Sequence, residues 1–107
     1  MTKELTNKNF YDVINNSELP VFVDFWANWC PPCRMMDPLI DDLAEEYERR
    51  IIIGKLNTDL YHTISDKLNI AGIPTYILFY KGEEKWRKVG AQRKEVLTKV
   101  FNEFLIG

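Results

Sequence analysis

The chain has 107 residues, of which 46% are hydrophobic and 28% are charged. This length and apolar content fit one folded domain over residues 1–107 and exclude a disordered chain. The formal net charge of -2 gives no support to nucleic-acid binding or to attachment to an anionic membrane surface. Because the start is polar and no apolar run approaches the roughly 20 residues that cross a bilayer, we expect a cytoplasmic protein.

The first half of the chain predicts two helices with a buried strand between them. A helix over residues 6–16 would begin at Thr6 as its cap, and the nearly continuous apolar run Val21–Trp26 is typical of a strand covered on both faces. Apolar residues at helical spacing then predict a second helix over residues 32–49. Pro38 lies inside this helix and predicts a kink, because proline lacks the N–H that the hydrogen-bond ladder uses.

The second half predicts three strands and two helices. A buried strand over residues 51–57 precedes a short helix capped by Asp59, and a strand over residues 75–80 forms a hairpin with a more polar edge strand over residues 84–89. A last helix begins near Arg93. The apolar residues expected to face the core are Leu60, Ile64 and Leu68 in the short helix, and Val96, Leu97, Val100, Phe101, Phe104 and Leu105 in the last.

The order of these elements predicts an α/β fold. Strands that are separated by helices pair in parallel through right-handed crossovers, whereas the late hairpin adds an antiparallel edge. We therefore expect a central mixed sheet with helices on both faces.

Both cysteines, Cys30 and Cys33, lie between the first buried strand and the helix that follows it. A pair at this spacing is either a redox-active dithiol or half of a zinc site. Structural zinc usually takes four ligands, and the chain has no third cysteine and a single histidine, His62, which we expect to be solvated. The ligand count predicts no metal within the chain and leaves a zinc shared between two chains as the alternative.

The order of the two cysteines predicts their roles. Cys30 comes first, where unpaired N–H groups and the helix dipole favour a thiolate. We expect it to be the more exposed, to have a lowered pKa and to attack a substrate disulfide. Cys33, one turn deeper, would then resolve the mixed disulfide and release the reduced substrate.

Asp24 and Lys55 are polar residues in strands that are otherwise apolar. Burial raises the pKa of a carboxyl group, so Asp24 is a candidate for proton exchange with the Cys33 thiol near neutral pH. The alternative is a structural aspartate bonded to the backbone or to a lysine, and the sequence does not decide between the two. Lys55 is the candidate charge partner that would hold the Asp24 pKa lower, with a surface lysine at a strand end as its alternative.

Two tryptophans flank the dithiol. For Trp26 we expect core packing that also shapes the site. Trp29 adjoins the attacking thiol, and we expect it to offer an apolar surface to partner proteins.

The residues around the dithiol, together with motifs later in the chain, resemble the thioredoxin family. They are DFWANWCPPC at residues 24–33, Pro38, KLN at residues 55–57, GIPT at residues 72–75, Gly82 and VGA at residues 89–91. The resemblance covers almost the whole chain at matching spacings. It implies the thioredoxin fold, a central mixed β-sheet flanked by four helices.

The resemblance also implies a role for each matching residue. Cys30 resembles the attacking thiol and Cys33 the resolving thiol. Asp24 resembles the family's buried carboxylate, and Lys55 its neighbour. Pro74 resembles the cis-proline that faces the dithiol. The residues placed along a groove for substrate backbone are Trp29, Pro31, Pro32, Gly72, Ile73, Pro74, Gly90 and Ala91, and the structural positions are Trp26 and Pro38.

The family further implies a monomer that needs no cofactor beyond its redox-active disulfide. Its partners would be disulfide-containing proteins and a thioredoxin reductase. That reductase would be either a flavin enzyme that uses NADPH or a ferredoxin-dependent enzyme.

Pro31 departs from the family pattern, in which glycine usually stands between the first cysteine and the proline. A proline here removes a backbone donor, which would raise the Cys30 pKa. It also stiffens the turn, which would favour the closed disulfide. These two effects leave the sign of the net change in redox potential open.

The residues and the resemblance are compatible with three functions. The leading one is a general cytoplasmic disulfide reductase, and the second is a dedicated thiol–disulfide oxidoreductase or isomerase with one partner. The third is a non-catalytic binding module or assembly subunit that uses the groove, which the presence of both cysteines and Asp24 disfavours.

Overall fold

A computed structural model describes residues 1–106 of the chain. Within them lie five strands and four helices. The strands are β1 (Lys3–Leu5), β2 (Val21–Trp26), β3 (Ile52–Asn57), β4 (Thr75–Tyr80) and β5 (Glu83–Val89), and the helices are α1 (Phe10–Asn16), α2 (Pro31–Glu46), α3 (His62–Lys67) and α4 (Lys94–Ile106). No helix in this part of the chain combines the length and the apolar character needed to cross a bilayer.

The strands form one mixed sheet in the order β1-β3-β2-β4-β5. β3 lies parallel to both β1 and β2, whereas β4 lies antiparallel to both β2 and β5. The predicted α/β fold with a mixed sheet is confirmed. The expected parallel pairing of strands that a helix separates holds for β2 and β3 but is wrong for β4, which follows α3 and lies antiparallel to β2.

Side chains alternate along β2, so this strand serves two cores. Val21, Val23 and Phe25 face a core that includes residues of α1 and α3, whereas Phe22 packs into a second core with α2 and α4. Because successive side chains of a strand point to opposite faces, Asp24 lies on the Phe22 side of the sheet. The strand thus places a carboxyl group under the helix that carries the dithiol.

The N-terminal segment differs from the sequence prediction. Lys3–Leu5 form β1 beside β3, and α1 begins at Phe10 rather than at Thr6. The Thr6 N–H donates to the side-chain oxygen of Asn9 at 2.7 Å, so Thr6 belongs to the turn that joins β1 to α1. A strand of three residues carries too short a pattern to be recognised, and pairing with a distant strand is what defines it.

Helix α2 is continuous through Pro38 and ends at Glu46 rather than at residue 49. Arg49 takes a positive φ of 71°, which is incompatible with a right-handed helix. The kink at Pro38 stays a prediction.

Three predictions about α3 and α4 are wrong. Helix α3 begins at His62 without a cap from Asp59, and Leu60 before it is 65% exposed. In α4, Val96 is 36% exposed, whereas the rest of the predicted face is buried or half-buried. Leu60 precedes α3, and Val96 lies in the first turn of α4 next to the fully buried Leu97.

Candidate active site at the start of helix α2

The two cysteines form a disulfide at the junction of β2 and α2. Cys30 is the residue before the helix, and its Cα lies 5.3 Å from that of Cys33. The Cys33 N–H donates to Cys30 Sγ at 3.3 Å. The helix start therefore aims a hydrogen-bond donor at the first sulfur, an arrangement that favours the anionic form of this sulfur once the disulfide opens.

Two prolines form the first turn of α2 directly after Cys30. Pro31 and Pro32 have no backbone N–H, so the N–H of Cys33 is the first donor that the helix offers. An ordinary helix start presents about four unpaired N–H groups. This one presents fewer to a thiolate at Cys30, as the sequence predicted from Pro31.

Both cysteines are buried in the disulfide form. Cys30 is 2% exposed and Cys33 is 1% exposed, so the disulfide form shows almost no difference between them, and a more exposed Cys30 stays a prediction for the reduced protein. Cys30 Sγ lies 3.7 Å from the carbonyl oxygen of Ile73, and the loop before β4 therefore covers it. The Ile73-Pro74 peptide bond is cis, which confirms the prediction made from the family resemblance.

A groove of about 400 Å³ runs beside the disulfide. The predicted site residues that line it are Trp29, Cys30, Pro31, Pro32, Gly72 and Ile73. Its other wall adds residues that the sequence did not reveal, namely Thr58, His62, Ser65, Asp66, Ile70 and Ala71. These come from α3 and the segments that flank it, and only the folded chain brings them opposite the dithiol.

Trp29 is held at the groove by a residue to which the sequence had given another role. The Trp29 side chain is 67% exposed, and its indole N–H donates to Asp59 Oδ2 at 3.0 Å. Asp59 thus orients Trp29 instead of capping α3. The sequence carries no signal for this contact, because the two residues are 30 positions apart and meet only after folding.

The loop before β4 and the turn after β5 meet at Pro74. The Gly90 N–H donates to the Pro74 carbonyl oxygen at 2.7 Å. Gly90 has a φ of 92°, a conformation that glycine adopts without strain. Pro74 is buried behind the groove, and Ala91 is exposed but is not among the described residues that line it. Gly90 is therefore connected to the site through its hydrogen bond to Pro74, whereas Ala91 does not line the groove.

Asp24 is 1% exposed, and neither of its side-chain oxygens has a hydrogen-bond partner within residues 1–106. Burial raises its pKa from 3.8 to about 7, with the charge of Lys55 acting to lower it and that of Asp37 to raise it. An aspartate bonded to the backbone or to a lysine does not match this arrangement. A carboxyl group with this pKa changes its protonation state near neutral pH.

Lys55 is the in-register neighbour of Asp24, but its ammonium group turns toward α2. Nζ lies 2.7 Å from Asp37 Oδ1 and 4.9 Å from the centre of the Trp26 ring. Lys55 makes no direct contact with Asp24, because a carboxylate of α2 binds the ammonium. Its charge nevertheless acts to lower the Asp24 pKa, as predicted for a charge partner. Trp26 is half-buried and lies under this ion pair, which agrees with a residue that shapes the site.

These observations define a class of protein. A mixed sheet with helices on both faces carries a disulfide at the start of a helix, next to a cis-proline and a groove. Within residues 1–106, no three side chains of the histidine, cysteine, aspartate or glutamate type lie together so as to hold a metal ion. The arrangement is that of a thiol–disulfide oxidoreductase.

Comparisons with known proteins identify the family. The family model described as Thioredoxin matches residues 1–103. The chain is 42% identical over 102 residues to the thioredoxin of Pyropia yezoensis, covering 95% of each protein. It is 41% identical over 102 residues to the thioredoxin of Rickettsia bellii, covering 95% of this chain and 97% of that one. It is 41% identical over 103 residues to the chloroplastic M-type thioredoxin of Spinacia oleracea, covering 96% of this chain and 57% of the relative. The chain belongs to the thioredoxin family.

Family membership and the disulfide together give the activity. The chain is a thiol–disulfide oxidoreductase whose redox-active group is the Cys30–Cys33 disulfide. Disulfide-containing proteins and a thioredoxin reductase are the partners that the family indicates. The non-catalytic binding module is not favoured, because both cysteines are present and bonded to each other.

Proposed function

We propose that the protein reduces disulfides of other proteins, with Cys30 as the attacking sulfur and Cys33 as the resolving sulfur. The observation that carries this assignment is the hydrogen bond from the Cys33 N–H to Cys30 Sγ at the start of α2. A donor aimed at a sulfur stabilises that sulfur as a thiolate, which is the nucleophilic form. Cys30 is also the cysteine that lines the groove.

The reaction passes two electrons and two protons to the substrate. In the reduced protein, the Cys30 thiolate attacks one sulfur of the substrate disulfide. The substrate S–S bond breaks, the other substrate sulfur leaves as a thiolate that takes up a proton, and a mixed disulfide with Cys30 forms. Cys33 then loses its proton and attacks Cys30 Sγ. The second substrate sulfur leaves and is protonated, and the Cys30–Cys33 bond forms.

Asp24 is the proposed acceptor of the Cys33 proton. Its carboxyl group lies on the α2 side of the sheet, and it has no competing hydrogen bond among the described residues. With a pKa of about 7, both its protonated and its ionised forms are populated at neutral pH. The same group would return a proton to Cys33 when the reductase opens the disulfide.

The groove is the proposed site for an extended segment of substrate. The substrate backbone would pair with Ile73 as a short added strand. Trp29 and Pro31 would supply apolar contact on the dithiol side, and Gly72 would line the groove beside Ile73. This mode of binding recognises the substrate backbone more than the substrate side chains, so it suits a reductant with many substrates.

The proposed setting is the cytoplasm, with the protein acting as a monomer. The nearly balanced charge of the chain supports protein partners over nucleic acid. The proposed source of electrons is a thioredoxin reductase that draws on NADPH through a flavin, or on ferredoxin. Assays with each of these two reductases, at equal protein concentration, separate the two sources.

Reduction of insulin by dithiothreitol tests the assignment, because the freed insulin chains precipitate and turbidity reports the rate. We expect the wild-type protein to accelerate the reaction and both Cys30→Ser and Cys33→Ser to abolish the acceleration. The Cys33→Ser protein should accumulate a mixed disulfide with its substrate, visible by mass spectrometry, and Cys30→Ser should not. Full activity of Cys30→Ser, or an adduct on its Cys33, would contradict the proposed roles.

A further inference from the structure

Lys55 and Asp24 occupy neighbouring, in-register positions of β3 and β2, yet they do not bond to each other. The ammonium group of Lys55 reaches Asp37 of α2, with 2.7 Å between Nζ and Oδ1. Asp37 follows Cys33 by four residues, which is about one helical turn. The ion pair therefore joins the dithiol helix to the strand beside Asp24.

We propose that Asp37 is a positioning residue of disulfide exchange: it holds the Lys55 ammonium against α2 and away from Asp24, whose carboxyl group is left free to exchange a proton with Cys33. The inference rests on the proton role of Asp24 in the proposed function. Asp37 acts through Lys55 and takes no part in bond making.

Two contacts hold the Lys55 ammonium group toward α2. Besides the ion pair with Asp37, its ammonium lies over the Trp26 ring at 4.9 Å from the centre. Its side chain is 19% exposed, so it lies along the protein rather than in water. Opposite charges attract more strongly in such a partly buried place than in bulk water. A lysine released from Asp37 would therefore turn toward Asp24, the carboxyl group beside it.

Titratable groups lie near Asp24 on three elements. Lys55 is its register neighbour in β3, Tyr76 is its register neighbour in β4, and Asp37 lies on α2 with the Cys33 thiol of the reduced protein. After the larger effect of burial, Lys55 lowers the Asp24 pKa and Asp37 raises it. Helix α4 packs on the same side with apolar residues. The Asp37–Lys55 pair is thus the adjustable part of the electrostatic surroundings of Asp24.

Lys55 has one further carboxylate close by. Glu4 of β1 is its in-register neighbour on the opposite side, and both line a small pocket with Trp26. Glu4 is exposed, and among the described residues the ion pair of Lys55 is with Asp37. Asp37 is therefore the carboxylate that determines where the ammonium lies.

Asp37→Asn tests the inference, because it removes the charge and keeps the size of a side chain that is 38% exposed. The pKa of Asp24, read by NMR titration of its carboxyl carbon, should fall from about 7. A fall of roughly one pH unit or more is expected, because loss of the negative charge and approach of the ammonium both favour the carboxylate. The pH midpoint for resolution of a mixed disulfide, followed by stopped-flow detection of the released thiol, should fall by the same amount.

Asp41→Asn is the matched control. Asp41 is an exposed aspartate one turn further along α2, and its substitution makes the same change in net charge. It should leave both midpoints unchanged, and Asp37→Glu, which keeps the charge, should retain the wild-type values. In a Lys55→Met background, Asp37→Asn should move the Asp24 pKa by less than half as much, because only its own charge then acts.

Equal Asp24 pKa values in the Asp37→Asn and Asp41→Asn proteins would overturn the inference. An undiminished effect of Asp37→Asn in the Lys55→Met background would overturn the part played by Lys55. The NMR titration does not depend on turnover. A lowered Asp24 pKa with an unchanged resolution profile would therefore refute the proton role of Asp24 in the proposed function, while the control of Lys55 by Asp37 would stand.

Discussion

Asp24 and Tyr76 face each other across β2 and β4, and within the described residues both end in buried oxygen atoms without a hydrogen-bond partner. The Tyr76 ring stacks on Phe22, with ring centres 5.4 Å apart. Burial raises the Tyr76 pKa far above its usual range, and the charge of Asp24 adds to the effect. Unpaired buried polar groups cost folding free energy, so this side of the sheet is less stable than a fully apolar one would be.

Replacing Tyr76 by Phe should raise the free energy of unfolding. The substitution keeps the stacked ring and removes a hydroxyl that has no partner, and such a buried group costs about 1–3 kcal/mol. Guanidinium denaturation at pH 7 measures the change, and we expect a gain on the order of 1 kcal/mol.

Tyr47→Phe provides the matched control for this substitution. The Tyr47 hydroxyl donates to Asn102 Oδ1 at 3.0 Å, so its removal should lower the free energy of unfolding. A loss of stability in Tyr76→Phe as large as that in Tyr47→Phe would show that the Tyr76 hydroxyl is not an unpaired group in solution.

The contribution of Asp24 to the stability of the wild-type protein should fall as the pH rises from about 4 to about 7. In this range the unfolded chain releases the Asp24 proton, with the ordinary pKa of 3.8, while the folded protein keeps it up to about pH 7. The unfolded state then binds fewer protons, so the free energy of unfolding declines with pH. At about 1.4 kcal/mol per pH unit, the Asp24 contribution is on the order of 4 kcal/mol.

Asp24→Asn should lack this decline. The informative quantity is the difference in unfolding free energy between the variant and the wild type, measured by denaturation from pH 4 to pH 8, because contributions from other groups cancel in it. The difference should grow in favour of the variant with rising pH, and Asp41→Asn should show no such trend. A difference that is constant over this range would contradict the raised pKa of Asp24.

Asp59→Ala should weaken substrate binding more than it slows the chemical steps. Without the Asp59 carboxylate, the exposed Trp29 indole loses the acceptor that orients it at the groove. One such hydrogen bond contributes about 0.5–1.5 kcal/mol, so the KM for insulin should rise roughly two- to tenfold at a nearly constant kcat. Asp59→Asn keeps an acceptor oxygen and should remain close to the wild type. Identical KM values for all three proteins would show that the contact does not orient Trp29 for binding.

Pro31→Gly should increase the thiolate fraction of Cys30 in the reduced protein. The glycine restores a backbone N–H to the first turn of α2, where unpaired donors and the helix dipole favour an anion. The pH midpoint for alkylation of Cys30 by iodoacetamide should therefore fall. Pro38→Ala restores an N–H in the helix interior, away from the sulfur, and should leave the midpoint unchanged. A midpoint that stays the same or rises in Pro31→Gly would contradict the donor explanation.

The buried strands and the dithiol could be predicted because their signals are local. The run Val21–Trp26 was predicted with both ends correct, since Pro20 before it and the turn after it interrupt the apolar pattern. The spacing of Cys30 and Cys33 likewise indicated a disulfide at the start of a helix. In both cases the neighbours along the chain supply the information.

Other features depend on contacts between distant segments, which one sequence does not display. Strand β1 exists through its pairing with β3, and two of its three residues are exposed. The partner of Lys55 is Asp37, 18 positions away, rather than the strand neighbour Asp24, because the helix packs its carboxylate above the lysine. The link between Trp29 and Asp59 spans 30 positions.

The redox equilibrium of the two sulfurs with glutathione tests the central claim most directly. Protein incubated at set ratios of reduced to oxidised glutathione is alkylated and analysed by mass spectrometry, so that each free thiol adds one label. We expect species with no label and with two labels to interconvert as the ratio changes, and the disulfide to persist until the buffer is strongly reducing. Labelling that does not respond to the ratio, or a dithiol that stays reduced in an oxidising buffer, would contradict a protein that reduces disulfides through Cys30 and Cys33.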